Sequence, residues 1–186
     1  MEMRLLCAEE MALFYTRDLD DAFPAAELKP LRVMEGASQT GNYHPWGLFD
    51  GEDLVGGAFT WEYAPGWVLF DYLCVARHRR SDGLGAELIR RLVDCERGKV
   101  LFGESEVPDC APDPEMARRR LAFYLRNGAR EAGYDMTLFG VPYRTLYWAA
   151  EPHSQEEIMA RHRELYQLRL RQPLYGLAVQ IPWTLA

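Results

Sequence analysis

Two hydrophobic periods alternate along the chain, and they mark out its elements. Residues 3–7 read as a short strand. Residues 9–19 carry Met11, Leu13, Phe14 and Tyr15 without a breaker and predict a helix. Phe23-Pro24 interrupts that pattern. Pro24 is placed to open a second helix running to about Met34, before a polar, glycine-bearing loop at 35–41. Residues 43–49 and 54–63 flank Asp50-Gly51 and predict two strands around a tight turn. After Ala64-Pro65-Gly66, residues 67–75 are almost wholly apolar, with Asp71 breaking the run, as in a strand covered on both faces. Leu84, Leu88, Ile89, Leu92 and Val93 then fall at helical spacing, and Gly98 ends that helix.

The second half repeats the grammar. Residues 99–107 predict a strand, and 108–114 a proline-rich acidic loop. Asp113-Pro114 starts a helix that runs to about Asn127 and stops at Gly128. Residues 136–139 and 143–149 read as short strands. Ser154-Gln155-Glu156-Glu157 is a capping box, and it opens a helix with Ile158, His162, Leu165 and Tyr166 on one side. That helix stops before Pro173, and 174–181 is a last strand. A meander feeding a strand–helix–strand crossover predicts a mixed sheet.

Length and composition narrow the class. A chain of 186 residues predicts one domain, 1–186, and 48% hydrophobic residues suffice for a packed core. A net charge of −7 disfavours nucleic acid as a partner. It suits a cationic substrate such as an amine, although mild acidity is also ordinary for a soluble protein. Cys7, Cys74, Cys95 and Cys110 show no paired spacing and read as free thiols in a reducing compartment, with no metal site. No signal-peptide pattern and no apolar run of membrane-spanning length occurs, so a cytoplasmic protein is expected.

The chemistry gathers where the predicted strand at 67–75 meets the helix after it. Arg77, His78, Arg79 and Arg80 arrive together, and Gly83 and Gly85 follow. A glycine-bearing turn into a helix N-terminus points several unpaired N–H groups at one place. The helix dipole and nearby arginines add positive charge, which together make a phosphate cradle. A solvated basic face is the blander reading. The P-loop string G-x-x-x-x-G-K-[ST] does not occur, and a dinucleotide fingerprint fails where Leu88 replaces its third glycine. What fits is Arg80-Ser81-Asp82-Gly83-Leu84-Gly85, behind a strand ending at Val75. This stretch resembles motif A of the GNAT superfamily of acyl-CoA-dependent N-acyltransferases.

The resemblance extends over about residues 5–181. It is strongest through Asp71-Tyr72-Leu73-Cys74-Val75, Glu104-Ser105-Glu106-Val107-Pro108 and Phe123-Tyr124-Leu125-Arg126-Asn127-Gly128-Ala129. It implies a single GNAT-like α/β (α+β) domain, with a central mixed, mostly antiparallel sheet flanked by helices. It also implies that the amides of Arg80, Ser81, Asp82, Gly83, Leu84, Gly85 and Ala86 face the pyrophosphate of acetyl-CoA. Backbone groups of Leu73, Cys74 and Val75 would bond the pantetheine arm, with the Val75 N–H polarising the thioester carbonyl. Asp82 departs from family habit, and its side chain is expected to turn away and cap the helix. Cys74 invites a nucleophile reading, but a buried small apolar residue is the commoner role. An asparagine usual near the start of the helix at 114–127 is missing; Met116 or Ala117 lies in its place.

An N-acyltransferase also needs a base and an acid. Glu104 and Glu106 lie two apart in a predicted strand and share a face with Phe102. A carboxylate half-buried beside an apolar wall can have its pKa raised towards neutrality. The family often places a glutamate in this strand; Glu104 matches it best, with Glu106 the second candidate. The other reading is a surface stripe, or carboxylates held by arginines of the next helix. Tyr124, in the Phe123-Tyr124 pair, matches the tyrosine that protonates the departing thiolate in the family, or is a core aromatic. Asp71 is expected to have an internal partner, such as an arginine, or to face the amine. Tyr43, His44, Trp46, Trp61 and Tyr63 read as core that could line an acceptor pocket.

The resemblance thus implies an enzyme, an N-acetyltransferase moving acetyl from acetyl-CoA to a primary amine by direct attack in a ternary complex. The acceptor is a small molecule or a peptide, with no metal, membrane or nucleic acid involved. Two alternatives stay open: a catalytically silent CoA-binding or ligand-sensing module, and an N-acyltransferase using a longer acyl-CoA. Family members often dimerise, and the sequence leaves the oligomeric state unread.

Overall fold

Alternating side chains and tight turns build the first half of the chain into an antiparallel meander. In the computed structural model, which describes residues 1–184 apart from 26 and 81, β1 (Glu2–Leu5), β2 (Tyr43–Asp50), β3 (Asp53–Ala64) and β4 (Trp67–Val75) lie side by side in that order. These strands belong to one compact unit, Met1–Arg97, and the remainder, Gly98–Ala186, forms a second.

In the first unit, α1 (Ala8–Phe14) runs on through a π-helical turn (Tyr15–Leu19) into a last helical turn, α2 (Asp20–Ala22). Phe14, Leu19, Met34 and Phe59 are fully buried there. The expected helix from Pro24 to Met34 is not formed. Leu28 N–H reaches the Pro24 carbonyl at 3.1 Å, but the next amide, Lys29 N–H, bonds the Tyr72 hydroxyl at 3.0 Å. The helix starts instead after Pro30, as α3 (Leu31–Ser38), in part of the stretch expected to be a loop. A proline at each end and a tertiary hydrogen bond outweigh local propensity here.

The helix α4 (Leu84–Cys95) lays Leu84, Leu88, Ile89 and Leu92 into the core. It comes so close to β3 that a Cβ on Gly56 would sit 2.7 Å from Leu88 Cδ1. Its far end is pinned by Glu96, whose buried Oε1 accepts from Thr60 Oγ1 (2.8 Å), Trp46 Nε1 (3.1 Å) and His44 Nδ1 (3.2 Å). Glu96→Ala would strand these donors away from water. The expected loss is about 3 kcal/mol of unfolding free energy, read as a lower urea midpoint with an unchanged slope. A midpoint equal to wild type would show that the cluster contributes nothing to stability.

The second unit holds β5 (Val100–Glu106), β6 (Arg130–Leu138), β7 (Val141–Trp148) and β8 (Val179–Trp183), in the spatial order β5-β7-β6-β8 with antiparallel neighbours. The strand expected at 136–139 is longer, because its first half begins with the polar Arg130-Glu131 and lacks an apolar signal. Helix α5 (Pro114–Arg126) starts as expected, with Asp113 Oδ1 accepting from Met116 N–H at 3.0 Å. So does α6 (Gln155–Arg169), where Ser154 Oγ accepts from Glu157 N–H at 3.2 Å. The last expected strand divides into a helical turn, α7 (Leu174–Ala178), behind Pro173, and then β8. Among the described residues no helix is long and apolar enough to cross a membrane.

Candidate active site

The residues expected to hold phosphates cluster in the first unit. Gly83 is the N-cap of α4 with φ +75°, a left-handed conformation that glycine adopts at little cost. A Cβ there would meet no atom within 4 Å, so open space lies before the helix start. The first-turn amides of an α-helix have no partner inside it, although Ala86 N–H here turns back to the Gly83 carbonyl at 3.2 Å. Ser81 lies outside the described residues. Asp82 does not cap the helix. It accepts from Arg79 Nε at 2.9 Å, so it turns aside by an ion pair instead.

The arginines are not a bare cationic patch. Arg79 meets Asp50 (3.3 Å) and Asp53 (3.5 Å) as well as Asp82. Asp21 at the end of the first helical run receives Arg80 (3.4 Å) and Arg77 (3.6 Å), and Asp53 holds His78 at 3.0 Å. The π-helical turn buries Asp18, whose Oδ1 accepts the Arg77 backbone N–H at 2.9 Å. Arg79 is therefore gripped from three sides, whereas the more exposed Arg80 meets a single aspartate.

Strand β4 carries a bulge where Asp71 breaks the apolar run. Phe59 pairs with Tyr72 but Thr60 pairs with Phe70, so Asp71 is the extra residue. Its carboxylate accepts from Lys29 Nζ and from Tyr43 OH (2.9 Å); the internal partner is a lysine and a tyrosine, not an arginine. Beyond the bulge, Leu73, Cys74 and Val75 pair with Ala58, Gly57 and Gly56. Burial, helped by the charge of Asp18, pushes the Cys74 thiol up to about 11. It stays protonated at neutral pH, which makes it a poor nucleophile.

The candidate proton-handling groups lie in the second unit. Glu104 Oε1 accepts from His162 Nε2 at 2.8 Å and from Tyr166 OH at 2.7 Å. Its Oε2 has no hydrogen bond among the described residues, and the side chain keeps 15% of its surface exposed. Burial is the largest influence on this carboxyl and pushes its pKa up. The His162 hydrogen bond and charge, the Tyr166 hydroxyl and the Arg169 charge together outweigh burial, and the result is a pKa below the ordinary carboxylate value. The expectation of a pKa raised towards neutrality is thus corrected: two donors overcome the apolar wall. Glu106 is bound by Arg120 Nη1 of α5 at 3.0 Å, the arginine-held alternative.

Tyr124 stacks edge-on to Trp148 with ring centroids 5.9 Å apart. Burial raises its pKa, partly offset by the Arg120 charge, so the hydroxyl keeps its proton at neutral pH. Neither residue at the missing asparagine position supplies an amide: Ala117 is buried and Met116 exposed.

Sequence reasoning placed His162 and Tyr166 on a buried helix stripe but missed their contact with Glu104. The available signal was two polar atoms on an otherwise apolar face. It also missed Tyr134, whose hydroxyl shares a 2.9 Å hydrogen bond with His162 Nδ1. Directly across from Glu104, Thr145 is fully buried, and its hydroxyl has no hydrogen-bond partner among the described residues. A cavity of about 540 Å³ lies beside this cluster, lined by Tyr134, Gln155, Trp183 and the ion-paired Glu131, Asp135 and Arg144. Among the described residues no group of three or more His, Cys, Asp and Glu side chains is placed to hold a metal ion.

No protein-family model matches the chain. YjbC of Bacillus subtilis (strain 168), assigned as an acetyltransferase, is 30% identical over 108 residues, and the match spans about half of each protein (54% of this chain and 54% of YjbC). An assigned GNAT-family acetyltransferase from Bacteroides thetaiotaomicron superposes with a TM-score of 0.77 at 17% identity, covering 91% of this chain and 98% of that one. Spermidine N-acetyltransferase from Vibrio cholerae, solved with CoA and spermine, gives a TM-score of 0.60 at 12% identity, covering 78% and 93% of the two chains. The chain therefore has the α/β fold of the GNAT acetyltransferases, as its motif-A resemblance implies.

Proposed function

We propose that this chain is a single-domain cytoplasmic GNAT N-acetyltransferase that moves acetyl from acetyl-CoA to a primary amine. The observation that carries the reading is the start of α4, where Gly83 opens a helix N-terminus onto free space behind a bulged strand. Residues of the first unit hold the acyl-CoA: the amides within 80–86 that are not turned back into the chain take the pyrophosphate, and the backbone at 73–75 takes the pantetheine and the thioester oxygen. The Vibrio cholerae enzyme, solved with CoA and a polyamine, supports this choice of donor and acceptor class.

The proton handling falls to the second unit. Glu104 Oε2 takes a proton from the substrate ammonium, directly or through water. The freed nitrogen lone pair then attacks the thioester carbon. The C–S bond breaks with its electron pair leaving on sulfur, and Tyr124 gives that thiolate a proton. The amide nitrogen sheds its remaining extra proton, which restores Tyr124. The net products are N-acetylamine, CoA thiol and one proton, which Glu104 releases to water. Glu104 is a weak base because of its lowered pKa, so it passes the proton on without retaining it. The protonated Cys74 favours direct attack over an acyl-enzyme.

A panel of n-butylamine, spermidine and an alanine-terminated peptide, assayed for thiol release from acetyl-CoA, tests this reading. Release with at least one amine is expected, and loss of preference against longer acyl-CoA donors would assign a different acyl group. CoA binding without release for any amine would indicate a silent module. Arg80→Ala should weaken acetyl-CoA and flatten the salt dependence of its binding, because the loosely paired Arg80 is free to turn towards phosphate. Arg79→Ala should chiefly lower the melting temperature, because it breaks a three-aspartate grip. Salt slopes for Arg80→Ala equal to wild type would show that this charge only faces solvent.

A further inference from the structure

We propose that His162 and Tyr166 are positioning residues that fix the Glu104 carboxylate by one oxygen and leave Oε2 as its single accepting atom, with Tyr134 bracing the imidazole through Nδ1. The proposal rests on the assignment of Glu104 as proton acceptor, and it adds three residues to that role.

Glu104 is lopsided: two donors converge on Oε1 at 2.8 and 2.7 Å, and none among the described residues reaches Oε2. The side chain that makes this asymmetry, His162, is itself fully buried, and both of its ring nitrogens are engaged. An ionised carboxylate only accepts, so Nε2 must carry hydrogen. The other ring nitrogen, Nδ1, shares its hydrogen bond with the Tyr134 hydroxyl. The rings of Phe102 and Tyr166, with centroids 5.2 and 5.4 Å from that of His162, wall the imidazole in.

The charged and titratable groups around Glu104 come from four elements. Helix α6 supplies His162, Tyr166 and Arg169, and β6 supplies Tyr134. Along β5, Glu106 shares the face but is held by Arg120 of α5. Across on β7 stands the uncharged Thr145. The groups that touch the Glu104 carboxylate are thus hydrogen-bond donors on one side of it. A carboxylate held this way keeps one rotamer and offers a fixed oxygen to an incoming proton, which is what a catalytic carboxylate needs from its supports.

The test is a carbon-13 NMR titration of the Glu104 carboxyl in wild type, Tyr166→Phe, His162→Gln and His162→Leu, with turnover of the amine panel measured alongside. Tyr166→Phe removes one donor and keeps the ring, so Glu104 should titrate about one pH unit higher, a tenfold gain in proton affinity. Turnover should fall on the order of tenfold with the KM for acetyl-CoA unchanged. His162→Gln keeps a side-chain N–H donor and should retain more turnover than His162→Leu. If His162→Leu fails to fold, Tyr166→Phe alone decides. An unmoved titration in Tyr166→Phe, or a moved titration with full turnover, overturns the positioning role. Full turnover in Glu104→Gln is a separate result: it would overturn the acceptor assignment itself.

Discussion

Gly83→Glu abolishes acetyl-CoA binding in a protein that still folds. The fold tolerates the change because a Cβ at Gly83 meets no atom within 4 Å. The φ of +75° strains any L side chain, at a cost of about 1–2 kcal/mol. Gly83→Asn reports the added side chain alone, since asparagine accepts the left-handed region at the least strain and carries no charge. Glutamate adds a negative charge where the helix dipole and backbone amides would meet the pyrophosphate. At an effective dielectric of about 20 and a separation of ~4 Å, that repulsion is roughly 4 kcal/mol, or about a thousandfold in Kd. Calorimetry should find near-native affinity for Gly83→Asn and no detectable binding for Gly83→Glu. Unchanged affinity in a folded Gly83→Glu would remove α4 from the acyl-CoA site.

Tyr124→Phe lowers turnover on the order of a hundredfold, the lower end of what general acid catalysis contributes. The ring stays edge-on to Trp148, so packing barely changes. Affinity for acetyl-CoA should hold, because the hydroxyl matters as charge develops on sulfur. Glu104→Gln loses activity in a different way. Its defect should be partly rescued at high pH, where the free amine needs no acceptor, while the Tyr124→Phe defect persists. The wild-type pH profile follows from the sign of the Glu104 shift. Its pKa lies below the ordinary value, so the carboxylate is ionised throughout the neutral range, and its loss limits the rate only in more acidic solution. The same sign applies to stability: the stabilisation is present above the unfolded carboxyl pKa and is lost as pH falls through the folded one. Normal turnover of Tyr124→Phe at all pH values would make the ring core packing. Normal turnover of Glu104→Gln would pass the acceptor role elsewhere.

What could be read from the sequence was local. The apolar run of β4, the 3.6-residue stripe of α4, and the Asp113 and Ser154 caps each depend on neighbours a few residues away, and each formed as expected. The helix begun at Pro24 failed because Tyr72, far along the chain, takes the Lys29 amide. The compensation of the arginine turn was hidden for a similar reason: Asp21, Asp50 and Asp53 reach it from separate segments. Glu104 illustrates the limit most clearly. Its residue type, strand and half-burial were legible. The direction of its pKa was not, because that direction is set by His162 and Tyr166, donors 58 and 62 residues further on.

The most direct test of acetyl transfer to an amine is a single turnover with enzyme in excess over radiolabelled acetyl-CoA. Without amine, no label should become attached to the protein, because direct attack in a ternary complex passes through no acyl-enzyme. On adding an accepted amine from the panel, all label should move to N-acetylamine as an equal amount of CoA thiol appears. Label retained in acetyl-CoA with every amine, or label bound to the protein before amine is added, would contradict the account.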